Sequence, residues 1–520
     1  MAGPGRRATF VGGLWNVAAM VVPLLSTVAL SVVIARRLGP AELGAQSLVS
    51  YVGSLVSSLV IIGATNCTIQ VMASAYGADD PGRLAALGRL SALVHVTGGV
   101  LAGLLLGGIG TTRDHALSWA LIGVVTFLDA LGWSYGSRLV AHHGWRVVSP
   151  LRLVSQIAAS VLGIGAVLLG SGVAGVFGAQ VLTSAWLTFC LRRRDLRDRP
   201  QHPVPAARVA LRPLASLWGL FVLSAGLAQI VDRRVELIFL DAFGTAEDVA
   251  VYAVAFSLVT VAVTVPLSLS GAAMPGIAAA AGADSVAGLY GHLRRAGRLA
   301  TLAGFLMSAA LATVGPSLVL VFWGESLRGA ASILPVMGLG VLLVPVPVLL
   351  KSFWTGVGRL GPVLLANGIG ALADLGVAAA LIPRLGVPGA VAANVSAQLV
   401  TCTVVVAYTR RHGASVGTSP GYLLRCAVVA ALSGGAALVA TAALTDVSRL
   451  LALIGGSLAF AAVLAGIGLV AGLVPAEDAD WLAGTVPAAA RPALAIFGGL
   501  RWARNRQKPP APAAKAASAP

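Results

Sequence analysis

The chain is short of charge, and of acid above all. Only 11% of its 520 residues are charged against 57% hydrophobic, and 19 acids face 36 bases. That composition leaves too little polar surface for a soluble protein of this length. Cysteine is scarce: Cys67, Cys190, Cys402 and Cys426 show no CxxC spacing and lie within or at the ends of apolar runs, so neither a disulfide framework nor a metal site is expected. Lysine is nearly absent beside arginine. Long polar loops are missing too, the longest gap between apolar runs being 192–213, rich in Arg and Pro. Membrane glycosyltransferases, ligases and polymerases usually need a larger extramembrane segment to hold a sugar donor and a catalytic carboxylate. A phosphate-cradling GxxxxGK[ST] is lacking, so ATP is not expected to be consumed. Neither an enzyme nor a cofactor enzyme is expected.

What is present is apolar length. Fourteen runs occupy 10–35, 44–73, 84–108, 116–140, 151–169, 173–191, 214–240, 249–280, 299–323, 330–357, 362–382, 387–409, 422–444 and 450–474. Each is near or above the ~20 residues that a helix needs to cross ~30 Å of hydrocarbon. The expected fold class is therefore an all-α polytopic membrane protein with fourteen transmembrane helices. Basic residues gather at the N-terminus, in every second gap with its flanking helix ends, and in the C-terminal tail. The other gaps hold only Arg36, Arg37, Arg113, Arg328, Arg384 and Arg449. Retention of positive charge on the cytoplasmic side predicts a multi-pass protein of the cell membrane with both termini cytoplasmic. The net charge of +17 then reflects topology and anionic lipid headgroups, and no nucleic-acid partner is expected. The first run follows Arg6 and Arg7 as a signal sequence would, but it reaches Arg36 without a small-residue cleavage site and is expected to stay as a helix. The tail starts acidic and ends in a Pro/Ala-rich stretch expected to be disordered.

The two halves echo each other. Gly39-Pro40-Ala41-Glu42 follows run 1 and Gly244-Thr245-Ala246-Glu247 follows run 7. Gly172-Val173-Ala174-Gly175 opens run 6 and Gly386-Val387-Pro388-Gly389 opens run 12. A six-plus-six duplication in parallel orientation follows, which puts a cavity between two lobes near the midplane. The expected division is an N-lobe with its linker over 1–205, a C-lobe over 206–415, two further helices over 416–475, and a cytoplasmic tail over 476–520.

These segments also carry a family resemblance. The stretch from Ile34 through Leu38-Gly39-Pro40-Ala41-Glu42 to Gly44 resembles the signature after the first helix of Wzx-like polysaccharide-biosynthesis flippases of the MOP superfamily. Asp232, then Phe243-Gly244 and Val251-Tyr252-Ala253, resemble their seventh helix and its exit loop. Gly358-Arg359 through Leu381-Ile382-Pro383 to Gly389-Ala390 resembles their segment between helices 11 and 12. The resemblance covers most of the chain up to about Arg411. It implies a transporter that flips a lipid-linked oligosaccharide, carried on a polyprenyl diphosphate, to the outer leaflet. Membrane lipids, glycosyltransferases and a glycan polymerase would be its partners. Fourteen spans also occur in lipid II flippases of the superfamily, whereas MATE-type exporters usually have twelve.

Charges inside the bilayer cost about 2.5–3.5 kcal/mol each and need a reason. Run 7 is the richest. Read as one continuous helix, it places Gln229, Asp232, Arg233 and Glu236 within one ~100° arc, with Arg234 and Asp241 opposite. On the functional reading, Arg233 or Arg234 attracts the substrate diphosphate, or Asp232 and Glu236 bind a coupling cation, H+ or Na+. The plainer alternative is a structural ion cluster. His95 and Asp129, on consecutive runs, could pair as a proton relay or as a satisfied hydrogen-bonded pair. Asp374 shares a face with Asn367 and is expected to line the cavity. Lys351 either snorkels to headgroups or meets a diphosphate. Asn16, Asn66, Asn394 and Gln398 are expected to bond between helices. Gly99, Gly103 and Gly107 should form a packing ridge, and Pro345 and Pro347 should bend run 10. Four functions remain: an oligosaccharide flippase; a lipid II flippase, less favoured because runs 1 and 2 lack that family's charges; a cation-coupled exporter; and a non-transporting scaffold of a glycan-assembly complex.

Overall fold

Proline and glycine punctuate the apolar runs into separate helices. Prolines 40, 81, 345, 388 and 420 sit in first turns, where their missing N–H costs nothing. Asp80 and Ser419 cap their helices by accepting from the backbone N–H of Arg83 and Tyr422. The computed structural model describes residues 6–143, 145–198, 210–231, 234–282, 286–357, 359–485, 496–500 and 502. Its helices are α1 (Arg6–Arg37), α2 (Pro40–Ser57), α3 (Gly63–Gly77), α4 (Pro81–Gly110), α5 (Ala116–His143), α6 (Trp145–Leu168), α7 (Gly172–Arg197), α8 (Leu211–Val231), α9 (Glu236–Phe243), α10 (Ala246–Gly282), α11 (Val286–Thr313), α12 (Gly315–Phe322), α13 (Arg328–Val341), α14 (Pro345–Gly356), α15 (Gly361–Leu385), α16 (Val387–Arg411), α17 (Pro420–Thr445), α18 (Arg449–Ala471) and α19 (Ala476–Thr485).

The fold is all-α, with no strand among the described residues. Among the described residues twelve spans are individually long and apolar enough to cross a bilayer, and α13–α14, bent by 43° just before Pro345, makes a thirteenth if read as one span. Helix α1 fills the first run. Between 17% and 50% of each span's apolar window is buried, so most of the apolar surface is left for lipid, as with Leu101, Leu104 and Leu169.

Small residues decide how closely neighbours approach. A Cβ at Gly103 would stand 3.0 Å from the Gly123 carbonyl oxygen, so α4 and α5 touch backbone to backbone there. Gly99 packs on Ala130, but Gly107 meets nothing within 4 Å; the expected ridge is two glycines long. Gly172 and Gly386, equivalent in the echoed motifs, have φ of 60° and 61°, a left-handed conformation that only glycine adopts cheaply.

The two faces of the bundle differ. The face from which α1 starts carries most of the arginines and is called the basic face below. On the opposite face the first six spans are tied to the next six. Arg113 pairs with Asp241, and Arg36 donates to the carbonyls of Phe322 (2.9 Å) and Val321 (2.8 Å) at the end of α12. Gly44 lies so close to the Ala246 carbonyl that no side chain fits between them. On the basic face the chain end folds back. The fully buried Asp478 of α19 takes two hydrogen bonds from Arg298 of α11 at 2.5 and 2.6 Å, and the N–H groups of Leu473 and Val474 donate to the Phe497 carbonyl.

Candidate functional site

The seventh span is broken, which corrects the reading of it as one helix. Helix α8 stops at Val231, residues 234–235 form a turn, and α9 starts at Glu236. Apolar residues continue on both sides of this point, so periodicity could not reveal the interruption, and Gln229 and Glu236 do not lie on one continuous helix. Asp232 and Arg233 lie outside the described residues. A broken helix leaves carbonyls without partners, and in lipid these need donors. Gln398 of α16 provides one, its Nε2 donating to the Val231 carbonyl at 2.9 Å. Facing the break, span 2 makes a π-helical turn at Ser58–Ile62. There the Ser58 hydroxyl accepts from the Gln229 amide. Discontinuous helices and π turns both recur where membrane proteins bind ions or substrate.

Beyond the break, α9, α10, α15 and α16 meet around two carboxyl groups. Glu236 and Asp374 are both fully buried and stand within Coulomb range of each other. Gly370 makes the approach possible: a Cβ there would fall 2.1 Å from the Thr401 hydroxyl and 3.4 Å from Val231, so α15, α16 and the end of α8 converge on it. The buried Tyr252 hydroxyl and Asn394 amide flank Glu236. Neither closes a well-formed hydrogen bond, however: all four carboxyl oxygens of Glu236 and Asp374 lack a donor among the described residues, the Asn394 amide nitrogen lacks an acceptor, and Tyr252 Oη has no partner. Two anions there would cost about 5–7 kcal/mol, twice the single-charge figure, a cost that a proton or a cation would remove. The ligand set would be all oxygen: two carboxyls, the Tyr252 hydroxyl and the Asn394 carbonyl. That suits a proton or a hard cation better than a transition metal, and no group of three or more His, Cys, Asp or Glu is placed to hold a metal among the described residues.

The remaining candidates are scattered. Arg234 lies in the turn with its guanidinium 5.5 Å from the Phe256 ring centroid, on the Tyr252 side of the cluster. Lys351 is half-buried and donates to Asn367 Oδ1 at 3.3 Å, so it turns towards α15 rather than snorkelling. Asp374 and Asn367 are both buried on one face of α15, as their spacing requires. The expected His95–Asp129 pair is not formed, although α4 and α5 pack together. His95 points to α3, with Nε2 3.1 Å from the Thr65 hydroxyl and Nδ1 2.7 Å from the Ser91 carbonyl. Asp129 points the other way, to Arg152 and Ser184. The two residues share a depth but not a face. Asn66 is exposed without a bond, and the side chain of Asn16 lies outside those described.

Two residues of these clusters were missed. Tyr252 enters the sequence reading only within the resemblance of 251–253, because nothing in its spacing marks a hydroxyl beside an acid. Arg152 reads as one of the basic residues at a helix end, yet it sinks into the bundle with its guanidinium 3.6 Å from the Trp133 ring centroid. An arginine amid apolar residues with an acid on the preceding run was the available signal.

Comparison with known proteins places this geometry. The MatE family pattern matches residues 237–379, a segment that begins one residue after Glu236 and contains Tyr252 and Asp374. The chain is similar to a multidrug resistance MATE family transporter of the MOP superfamily in an inward-facing conformation, at 18% identity and a TM-score of 0.63 over 77% of this chain and 98% of that one. It is also similar to the lipid II flippase MurJ in an inward closed conformation, at 11% identity and a TM-score of 0.68 over 86% and 98% of the two chains. A point mutant of the Vibrio cholerae MATE transporter VcmN aligns at 15% identity and a TM-score of 0.57 over 78% and 98%. No curated protein sequence matches the chain. At these identities the shared property is the fold, that of MATE and MOP-superfamily transporters.

Proposed function

We propose that this chain is a cation-coupled flippase that carries a polyprenyl-diphosphate-linked oligosaccharide from the cytoplasmic to the outer leaflet of the cell membrane. The observation that carries coupling is the pair of buried carboxyls, Glu236 and Asp374, without a well-formed hydrogen bond among the described residues and beside an interrupted helix. A site of that kind changes its interactions when it gains or loses a cation, and binding is then linked to whichever conformation holds the cation better. Substrate class rests on different support: the resemblance of the segments around Gly39 and Gly386 to oligosaccharide flippases, and two spans, α17 and α18, beyond a twelve-span core. The basic face is cytoplasmic in this reading. Residues 1–205 and 206–415 then form two lobes, an arrangement supported by the matched conformations of Gly172 and Gly386.

The test is a proteoliposome assay with a fluorescent polyprenyl-diphosphate oligosaccharide, with and without a Na+ or H+ gradient. Wild-type protein should move the lipid faster with one gradient, while Glu236→Gln and Asp374→Asn, folded and inserted, should not respond. Movement of organic cations but never of the lipid would favour the exporter reading, for which the MatE match is the support. Orientation has its own check: Thr245→Cys should react with an impermeant thiol reagent in intact cells and Gln201→Cys should not. Equal labelling would reverse the assignment of faces.

A further inference from the structure

A second polar site lies far from the carboxyl pair, inside the first six spans at the basic face. There α3, α4, α5 and α7 enclose an open cleft of about 750 Å³. Its mouth holds Arg89, Arg138, Tyr76, His142, Asp195 and Asp198; its deeper wall, from Ala92 and Val96 to Leu131, is apolar. Along α4, the fifteen-residue step from Pro81 to Val96 spans ~22 Å. The cleft therefore changes from polar to apolar over the depth at which a lipid does.

The mouth is ordered. Arg138 donates from Nε to the Ser134 carbonyl at 3.0 Å, pairs with the nearly buried Asp195 at 3.3 Å, and rests against Gly88. Asp195 thus holds one guanidinium in place. Arg89, the next residue on α4, is exposed and has no ion pair among the described residues. Tyr76 and His142 stack with ring centroids 4.6 Å apart at 19°, presenting a flat aromatic step. Two guanidinia suit phosphate oxygens, since arginine binds them bidentately. Asp195 and Asp198 balance that charge and would repel a further anion, but they can accept from hydroxyls. A flat ring suits the face of a sugar. Phosphate, hydroxyls and an apolar chain together describe one class of ligand.

We propose that this cleft is the docking subsite where the sugar-diphosphate head group of a lipid-linked glycan is first held, in the leaflet at the basic face. The inference rests on the flippase reading for its choice of lipid but not for the geometry. The alternative source of the same chemistry is a resident phospholipid.

The experiment uses the full chain in phosphatidylcholine liposomes and a polyprenyl-diphosphate disaccharide bearing a photoreactive group on the sugar. Labelling should map to 72–96 and 131–142, and excess unlabelled glycolipid should displace it where phosphatidylethanolamine does not. Arg89→Glu, at an exposed position that leaves folding intact, should cut labelling by roughly tenfold, the ordinary effect of losing one charged hydrogen-bonding contact. Asp374→Asn should still label. Equal displacement by phosphatidylethanolamine, or labelling elsewhere that ignores Arg89→Glu, overturns the proposal. If wild type labels in the cleft yet flips no glycolipid, the transport reading fails and the subsite stands. If wild type flips and Arg89→Glu both labels and flips as well as wild type, the subsite fails alone.

Discussion

Two buried clusters of ionisable groups divide the membrane interior of this protein, and they are composed in opposite ways. In the first six spans Asp129 lies within Coulomb range of Arg152, with Ser184 and the Trp133 face beside the pair. In the next six, Glu236 faces Asp374, and neither carboxyl makes a well-formed hydrogen bond among the described residues. The first cluster carries its own counter-charge and holds spans 4, 5 and 6 together. The second has no such matched counter-charge among the described residues, which is the ground for proposing a cation that comes and goes. Buried charge by itself does not mark a functional site; buried charge without compensation does.

The comparison breaks most readily at Glu236 and Asp374. Asp374→Asn or Glu236→Gln should reduce gradient-driven transport to background while leaving thermal stability equal or higher, because an uncompensated acid is removed. In wild type the coupling cation should raise the melting temperature by mass action, and in the variants it should not. An unaltered cation response in both variants would make the pair structural. The first cluster should behave in the reverse manner. Arg152→Ala strands Asp129 and should cost about 3–5 kcal/mol of stability, whereas joint replacement of Arg152 and Asp129 by leucine should recover most of it. Denaturation of the detergent-solubilised single and double variants measures this. Failure of the pair to recover would mean that Arg152 has a task beyond neutralising Asp129.

A smaller effect sharpens the account of the broken span. Gln398→Leu removes the donor to the Val231 carbonyl and should cost about 1–2 kcal/mol, read in the same denaturation. A neutral result would show that water serves that carbonyl instead. Least of all in stability, Arg113→Ala should change it by no more than about 1 kcal/mol, since the pair with Asp241 is largely exposed. It should nevertheless loosen the face opposite the basic one, seen as faster thiol labelling of Thr245→Cys in the Arg113→Ala background.

The spans were legible from the sequence because hydrophobic length is a property of single segments. The bend before Pro345 was legible because proline removes a hydrogen bond wherever it stands in a helix. Partner choice was not. His95 and Asp129 lie on adjacent helices at similar depth, and only the rotation of each helix about its axis, set by all its neighbours at once, sends one to Thr65 and the other to Arg152. The interruption after Val231 was invisible for a related reason. Gln398, which makes it tolerable, lies far along the chain, so no local pattern announces a break that a distant side chain stabilises.

The join between Arg298 and Asp478 has a consequence for biosynthesis. Arg298 enters the membrane early in the second half of the chain, and the carboxylate that neutralises it is translated well over a hundred residues later. Until the ribosome has made α17, α18 and the start of the tail, α11 carries an unanswered cation at the bilayer surface and the cluster around Tyr422 and Leu473 has no closing wall. The helices of this region are thus inserted in chain order but can settle only after Asp478 has been made. A chain truncated before residue 478 should reach the membrane and then be removed by quality control, whereas a fusion placed after 502 should leave maturation untouched.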